Sequence, residues 1–305
     1  MSHIGEFYSL LCAVFWATAV LFFRKSGEKA TPVALNLFKG VTALLLLVPT
    51  MLLVDSHPMT AGHSRADWLL LAASGIIGIG IADTLFFASL NRLGAGRSAI
   101  VNCLYSPLVV LCSAVLLVEP IGLALAGGVA LMVAGILLES NPFASGAVSG
   151  VASVLARREQ RIGVLFGVAS MLMMALGIVV AKPVLEHSDV MWASVVRVAG
   201  GTAVVALVGL HPSHHAAIRR TFAPSRQWLY TVPGAVIGTY LAMVVWLAGV
   251  KYTSAGVAAV LNQTSTLLVP LLAAPFLGEK LTRRKLLAVL LGFAGAVVVT
   301  LWGRG

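Results

Sequence analysis

Charge is what this chain has least of. Asp, Glu, Lys and Arg make up 10% of its 305 residues, against about 25% in a soluble domain, so a soluble globular fold is excluded. Acids are scarcest, 11 against 21 Lys and Arg. In a soluble protein that excess would suggest nucleic acid. Here the cations sit mostly between hydrophobic runs, where they orient helices against anionic lipid, and nucleic acid is not an expected partner. Cys12, Cys103 and Cys112 all fall inside hydrophobic runs. No loop carries a cysteine pair, so neither a disulfide framework nor a zinc site is expected. A GxxxxGK[ST] loop is missing, which argues against ATP hydrolysis by this chain. No HExxH and no inward His or Cys cluster occurs, so the chain does not read as an enzyme, and no cofactor is expected. The opening MSHIGEF has no Lys or Arg before the first apolar run, so that run reads as a permanent helix and not as a cleaved signal.

What the chain has is apolar length. Apolar residues reach 59% and mean hydropathy is +0.97. A spanning helix needs about 20 mostly apolar residues. Runs of that kind, separated by charge, Pro or Gly, predict ten spans, at 6–25, 32–54, 67–90, 97–117, 121–139, 162–185, 190–210, 228–250, 256–276 and 284–302. The longest connection, 140–161, is the one linker-like segment. It divides the chain into a first half, 1–139, and a second, 162–305.

The halves repeat. Residues 78–138 and 238–298 align without a gap at an offset of 160, with 17 identities in 61 positions, where composition alone gives roughly a tenth. Pairs include Gly78/Gly238, Ala95/Ala255, Gly96/Gly256, Asn102/Asn262 and Glu119/Glu279. The first two spans of each half correspond at an offset of 158, which sets Lys39 opposite Arg197. Five spans per repeat is odd, so the second half enters the membrane inverted. The expected fold is all-α, ten transmembrane helices as two inverted five-helix repeats around a midplane site. Of the 21 Lys and Arg, fifteen lie in or beside the odd-numbered loops and four in the even-numbered loops or C-terminus. The positive-inside rule therefore places the odd loops in the cytoplasm and both termini outside.

Two segments, YSPLVVLCSAVLLVEPIGLALAGGVALMVAGILL (105–138) and YTSAGVAAVLNQTSTLLVPLLAAPFLGEKLTRRKLLAVLLGFAGAVVV (252–299), resemble the ends of the two repeats in the drug/metabolite transporter superfamily, EamA family. LGEKLT at 277–282 is the most family-like piece, LVEPIG a looser version, and 68–90 fit the family's third helix. The resemblance covers nearly the whole chain. It implies a secondary transporter, commonly an exporter of amino acids or other small metabolites, in a bacterial plasma (inner) membrane. It also implies cytoplasmic termini, against the charge count.

Candidate site residues are polar or aromatic groups at membrane depth. Lys39 and Arg197 each lie about seven residues into a span, roughly 11 Å deep. Charges there cost about 2.5–3.5 kcal/mol on insertion scales and persist where they face a cavity or a partner. Two such cations suit a carboxylate or phosphate. Asp83 is the one acid well inside a span, a proton site or a counter-ion to Lys39. Asn36 shares the face of Lys39. Asn102 and Asn262, with Tyr105 and Gln263 beside them, supply hydrogen bonds to a substrate or glue between helices. Trp16, Tyr240 and Trp246 lie inside spans and offer apolar walls, while Trp68, Trp192 and Trp228 near span ends read as interfacial anchors. Glu119 and Glu279 end the fourth helix of each half and are suited to accept from the next helix's exposed N–H groups.

Together these features predict a secondary transporter of a small anionic or zwitterionic metabolite such as an amino acid, working by alternating access in membrane lipid. Ten spans suffice as a monomer, and a homodimer is compatible. The alternatives are a non-transporting scaffold or lipid-handling protein, which would show no saturable flux, and, further off, an intramembrane enzyme.

Overall fold

Caps at the water boundary set where the helices begin. The structure is a computed structural model that describes residues 3–27, 29–54, 63–102, 104–140, 151–277 and 283–302. Helix α3 (Arg65–Gly75) opens on a capping box: Ser64 Oγ accepts from Asp67 N at 3.1 Å, and Asp67 Oδ2 accepts from Ser64 N at 2.9 Å. Helix α8 (Val190–Gly209) is capped by Asp189, which accepts from Met191 N and Trp192 N. Between these starts, apolar sequence continues the helices because lipid offers no partner to a backbone N–H or C=O.

The described residues are helical, with no strand among them. In order they form α1 (Ile4–Gly27), α2 (Pro32–Val54), α3, a π-helical segment at Ile76–Ile81, α4 (Ala82–Asn102), α5 (Tyr105–Leu116) and α6 (Leu123–Ser140). The second half gives α7 (Val151–His187), α8, α9 (Pro212–Phe222), α10 (Trp228–Ala235), a second π segment at Val236–Leu241, α11 (Ala242–Tyr252), α12 (Ala255–Asn262), α13 (Thr264–Leu277) and α14 (Arg283–Trp302). Six described helical stretches are long and apolar enough to cross a membrane: Ile4–Gly27, Pro32–Leu53, Arg65–Leu93, Arg158–His187, Val190–Gly209 and Trp228–Tyr252. Shorter apolar helices, Tyr105–Leu116 and Ala255–Val269, stand where the sequence predicts the fourth and ninth spans.

The packing crosses between the halves. Helix α1 lies along α10 and α11, α7 along α3 and α4, α2 along α8, α5 against α12, and α6 along α14. Small residues make these approaches possible. A Cβ on Gly5 would come within 2.7 Å of the Tyr252 backbone, and one on Gly163, its repeat equivalent, within 2.8 Å of Leu93. One turn along, Ser9 sits against Gly249, and in the other half Gly167 sits against Ser89. The serine and glycine have changed places while the contact is kept.

Helix α4 turns back within its assigned length. Ser89 Oγ and Val101 Cγ1 lie 2.8 and 2.7 Å from the position of a Cβ on Gly167. Twelve residues of straight helix would separate them by about 18 Å. The chain therefore does not run straight between Ser89 and Val101, the stretch between the predicted third and fourth spans.

Three sequence expectations change. Helix α7 begins at Val151, well before the predicted span at 162, and Arg92 pairs with Glu159 at 3.3 Å on this extension. Trp192 is no interfacial anchor: it is 1% exposed, stacked on His63 at 3.7 Å with Trp68 edge-on. Glu119 accepts from the first N–H groups of α12, in the other half, and not from the helix that follows it. Glu279 and the rest of the LGEKLT run after Leu277 lie outside the described residues, as do residues 141–150 of the linker.

Candidate functional site

The two π segments sit at matching positions, Ile76–Ile81 and Val236–Leu241, at the same offset of 160 that relates the sequence repeats. A π turn inserts a residue into the helical ladder and leaves carbonyls without their usual donors. In the first half Asn36 satisfies them: its Nδ2 donates to Ile79 O at 3.0 Å, Gly80 O at 3.2 Å and Thr84 Oγ1 at 2.9 Å. The side chain is consumed by this work. Tyr240 is also engaged elsewhere, its hydroxyl 2.9 Å from Thr50 Oγ1. Neither Asn36 nor Tyr240 lines the cavity described next, although both are candidates by sequence.

Between the halves lies a cavity of about 140 Å³. An apolar cavity of roughly 150 Å³ takes a benzene molecule, so the space suits a ligand of that order. Gly78 and Gly238, one from each π segment, both face it. The structure brings nine sequence candidates to its wall: Trp16 from α1, Lys39 from α2, Asp83 and Asn102 from α4, Tyr105 from α5, Arg197 from α8, Trp246 from α11, Asn262 from α12, and Gln263 at the α12–α13 break. Helix α4 ends at Asn102 and α5 begins at Tyr105, beside the position equivalent to Gln263 at the repeat offset.

The charges are arranged unequally. Lys39 and Asp83 form a buried ion pair, with the ammonium 5.5 Å from the centre of the Phe87 ring. Arg197 faces no acid within ion-pair distance among the described residues. One arm, Nη1, donates to Ser74 Oγ and, at 3.0 Å, to Gly177 O, and Ser74 Oγ donates in turn to Gly177 O. Its Nε has no partner although the residue is 3% exposed. Thr239 Oγ1 and Asn262 Oδ1, on the same cavity, are likewise without partners. Gln263 donates to Asn102 O at 2.9 Å and to Thr266 Oγ1 at 3.2 Å, tying the end of α4 to the start of α13.

An unpaired charge in a dry interior costs several kcal/mol. Buried polar atoms in proteins are mostly bonded, and among the described residues Ser106 Oγ, Thr202 Oγ1 and Trp192 Nε1, away from the cavity, also lack a partner. Three orphans, on Arg197, Thr239 and Asn262, share the wall of one cavity. Phe86, Met171, Met174 and Met243 give the wall a soft apolar part, beside Ser265 and Thr266. Sequence reasoning missed the methionines, Ser74, Gly177 and Thr239. Nothing local distinguishes these residues from packing. The Gly78/Gly238 identity was the one available signal. Among the described residues no group of His, Cys, Asp or Glu is placed to hold a metal.

The sequence profile described as the EamA-like transporter family matches residues 3–140 and 161–301. The chain therefore belongs to the EamA-like transporter family, within the drug/metabolite transporter superfamily, and it is an integral membrane protein with a small-molecule substrate and a lipid setting. A solved structure described only as "Crystal structure of protein" is similar with a TM-score of 0.76 and 20% identity, over 98% of this chain and 97% of that one. At that identity the likeness concerns the fold. No curated protein matches the sequence.

Proposed function

We propose that the protein is a secondary transporter that carries a small anionic or zwitterionic metabolite, such as an amino acid, by alternating access, and that it works as an exporter. In this reading ten spans form two inverted five-helix repeats, 1–139 and 162–305, joined by 140–161, in a bacterial plasma membrane. The pairing of each half's first helix with the other half's third and the matched π segments support that plan.

The observation that carries the proposal is Arg197: a buried guanidinium on a cavity, held in place on one arm and unpartnered at Nε. A carboxylate entering the cavity supplies the missing counter-charge and hydrogen bond. Lys39, held by its pair with Asp83, lines the same wall. Thr239, Asn262 and Tyr105 offer hydrogen bonds, and Trp16, Trp246 and the methionines accept the apolar part. The π segments, beside the site on both halves, are the natural places for bending as the halves rock.

The test is flux in proteoliposomes. Arg197→Gln should abolish saturable transport while the purified protein melts as a folded species. Arg197→Lys should restore little, because an ammonium lacks the planar fork held by Ser74 and Gly177. Undiminished transport by Arg197→Gln removes this residue from the site. Absence of saturable solute flux in the parent protein favours the scaffold or lipid-handling alternative.

A further inference from the structure

Valence is written into the same cavity. Three charged side chains line it: Lys39 and Arg197 are positive and Asp83 is negative. Tyr105 and Cys12 also face it, and a phenol and a thiol are ordinarily uncharged at neutral pH. Lys39 and Asp83 are joined to each other, and no other ion pair involving either is found among the described residues. The cavity thus carries one net positive charge, with Phe86, Met171 and Met174 among its apolar walls.

Resting on the transport reading above, we propose that the Lys39–Asp83 pair acts as a valence filter, holding the site at a net charge of plus one so that it accepts monoanions and rejects dianions. A monoanion against Arg197 brings the buried sum to zero. A dianion of the same shape leaves one negative charge uncompensated in a low-dielectric wall, which is the costly arrangement. Asp83 is then a specificity-determining residue that need not touch the substrate. Lys39 is its partner, and the charge of the pair matters more than either side chain alone.

The charge sum predicts four distinct behaviours. The native protein stands at plus one, Asp83→Asn at plus two, Lys39→Gln at zero and the double variant Lys39→Gln/Asp83→Asn at plus one again. Matched probes separate valence from shape: succinate against its monoamide succinamate, and glutarate against glutaramate. Binding is read on purified protein by thermal stabilisation and by the fluorescence of Trp16 and Trp246 on the cavity wall. The native protein should prefer each monoamide by about tenfold or more. Asp83→Asn should reverse the order, Lys39→Gln should weaken both members of each pair, and the double variant should recover the native order.

An Asp83→Asn protein that is folded and keeps the native preference overturns the filter while leaving the anion site standing. So does a folded double variant that prefers the dianions. If an unliganded melt shows Asp83→Asn unfolded, the double variant, which leaves no buried lone lysine, decides the matter by itself. If no member of either pair stabilises the native protein, the anionic reading of the cavity falls, and the filter falls with it.

Discussion

Glu119 closes the first turn of the helix that begins at Ala255: its Oε1 accepts from Ala255 N at 3.1 Å and its Oε2 from Gly256 N at 3.4 Å. The acceptor follows the end of α5 in one half and the donors start α12 in the other, so one carboxylate fixes a contact between repeats. Ser254 supplies the ordinary cap by accepting from Val257 N at 3.2 Å. Glu119 satisfies the donors that Ser254 leaves exposed and places negative charge at the positive end of the helix dipole.

Replacing Glu119 by Ala should therefore destabilise the protein by about 1 kcal/mol, and replacement by Gln by less, since the amide oxygen still accepts. Heat unfolding of the purified protein checks the order. Equal melting of native, Gln and Ala forms would show that the cap contributes nothing.

Asn36 separates two accounts of one residue. As a substrate ligand its loss should weaken binding and leave the empty protein as stable as before. As the donor to Ile79 O, Gly80 O and Thr84, its loss removes buried hydrogen bonds, with Gly80 O keeping the Thr84 hydroxyl, and should cost about 1–3 kcal/mol. Asn36→Ala is expected to lower the unliganded melting temperature while the folded fraction binds ligand with nearly native affinity. Native stability with lost binding would return Asn36 to the list of ligands.

How much of this was legible beforehand depends on what carries the signal. Lys39, Asp83 and Arg197 announce themselves, because charge inside an apolar run has few tolerable places to be. The repeat offset predicts equivalence between the halves, and the two π segments stand at that offset. The sequence does not reveal that Lys39 takes Asp83 and leaves Arg197 to a serine and a carbonyl. That choice is made by helix rotation and close backbone approach, which depend on packing across the whole bundle. The π segments are equally silent: GIIGIGI and AVIGTYL read as ordinary apolar helix. The extra residue is stabilised by tertiary donors such as Asn36 and not by local propensity. Trp192 misleads for a related reason, since position near a span end suggests the interface and only the neighbouring His63 and Trp68 reveal its burial.

Glycines test the close approach. A Cβ on Gly177 would lie 2.8 Å from Gly78 Cα, 2.9 Å from Gly78 N and 3.0 Å from Ser74 O, all backbone atoms that cannot rotate away. Gly177→Ala should force α7 from the first π segment, costing about 1–3 kcal/mol and loosening the carbonyl that holds Arg197. Gly127 in α6 has nothing within 4 Å of its would-be Cβ. Gly127→Ala should raise stability by about 0.4–1 kcal/mol, because alanine loses less backbone freedom on folding. Opposite shifts in melting temperature are expected. Shifts of the same sign would contradict the packing of α7 on Gly78.

Orientation can be settled on α9. This helix carries Arg219 and Arg220, and its neighbour Arg226 is exposed with them. It follows α8 and packs back through Phe222, whose ring meets Phe38 at 5.1 Å, and through Ile218, whose Cδ1 lies 2.9 Å from a would-be Cβ on Gly209. The basic residues belong to the cation-rich set of loops, which the positive-inside rule places in the cytoplasm. Ala216 is exposed on α9 and accepts a cysteine without disturbing those contacts. In a version with Cys12, Cys103 and Cys112 replaced by Ala, a cysteine at position 216 should resist a membrane-impermeant maleimide in intact cells and react once the membrane is permeabilised. Labelling in intact cells would put α9 outside and the termini in the cytoplasm, the arrangement that the family resemblance implies. In that case the excess of fifteen cations over four would have to be retained for a reason other than insertion, and the odd loops, α9 first among them, would be the surface on which to look for it.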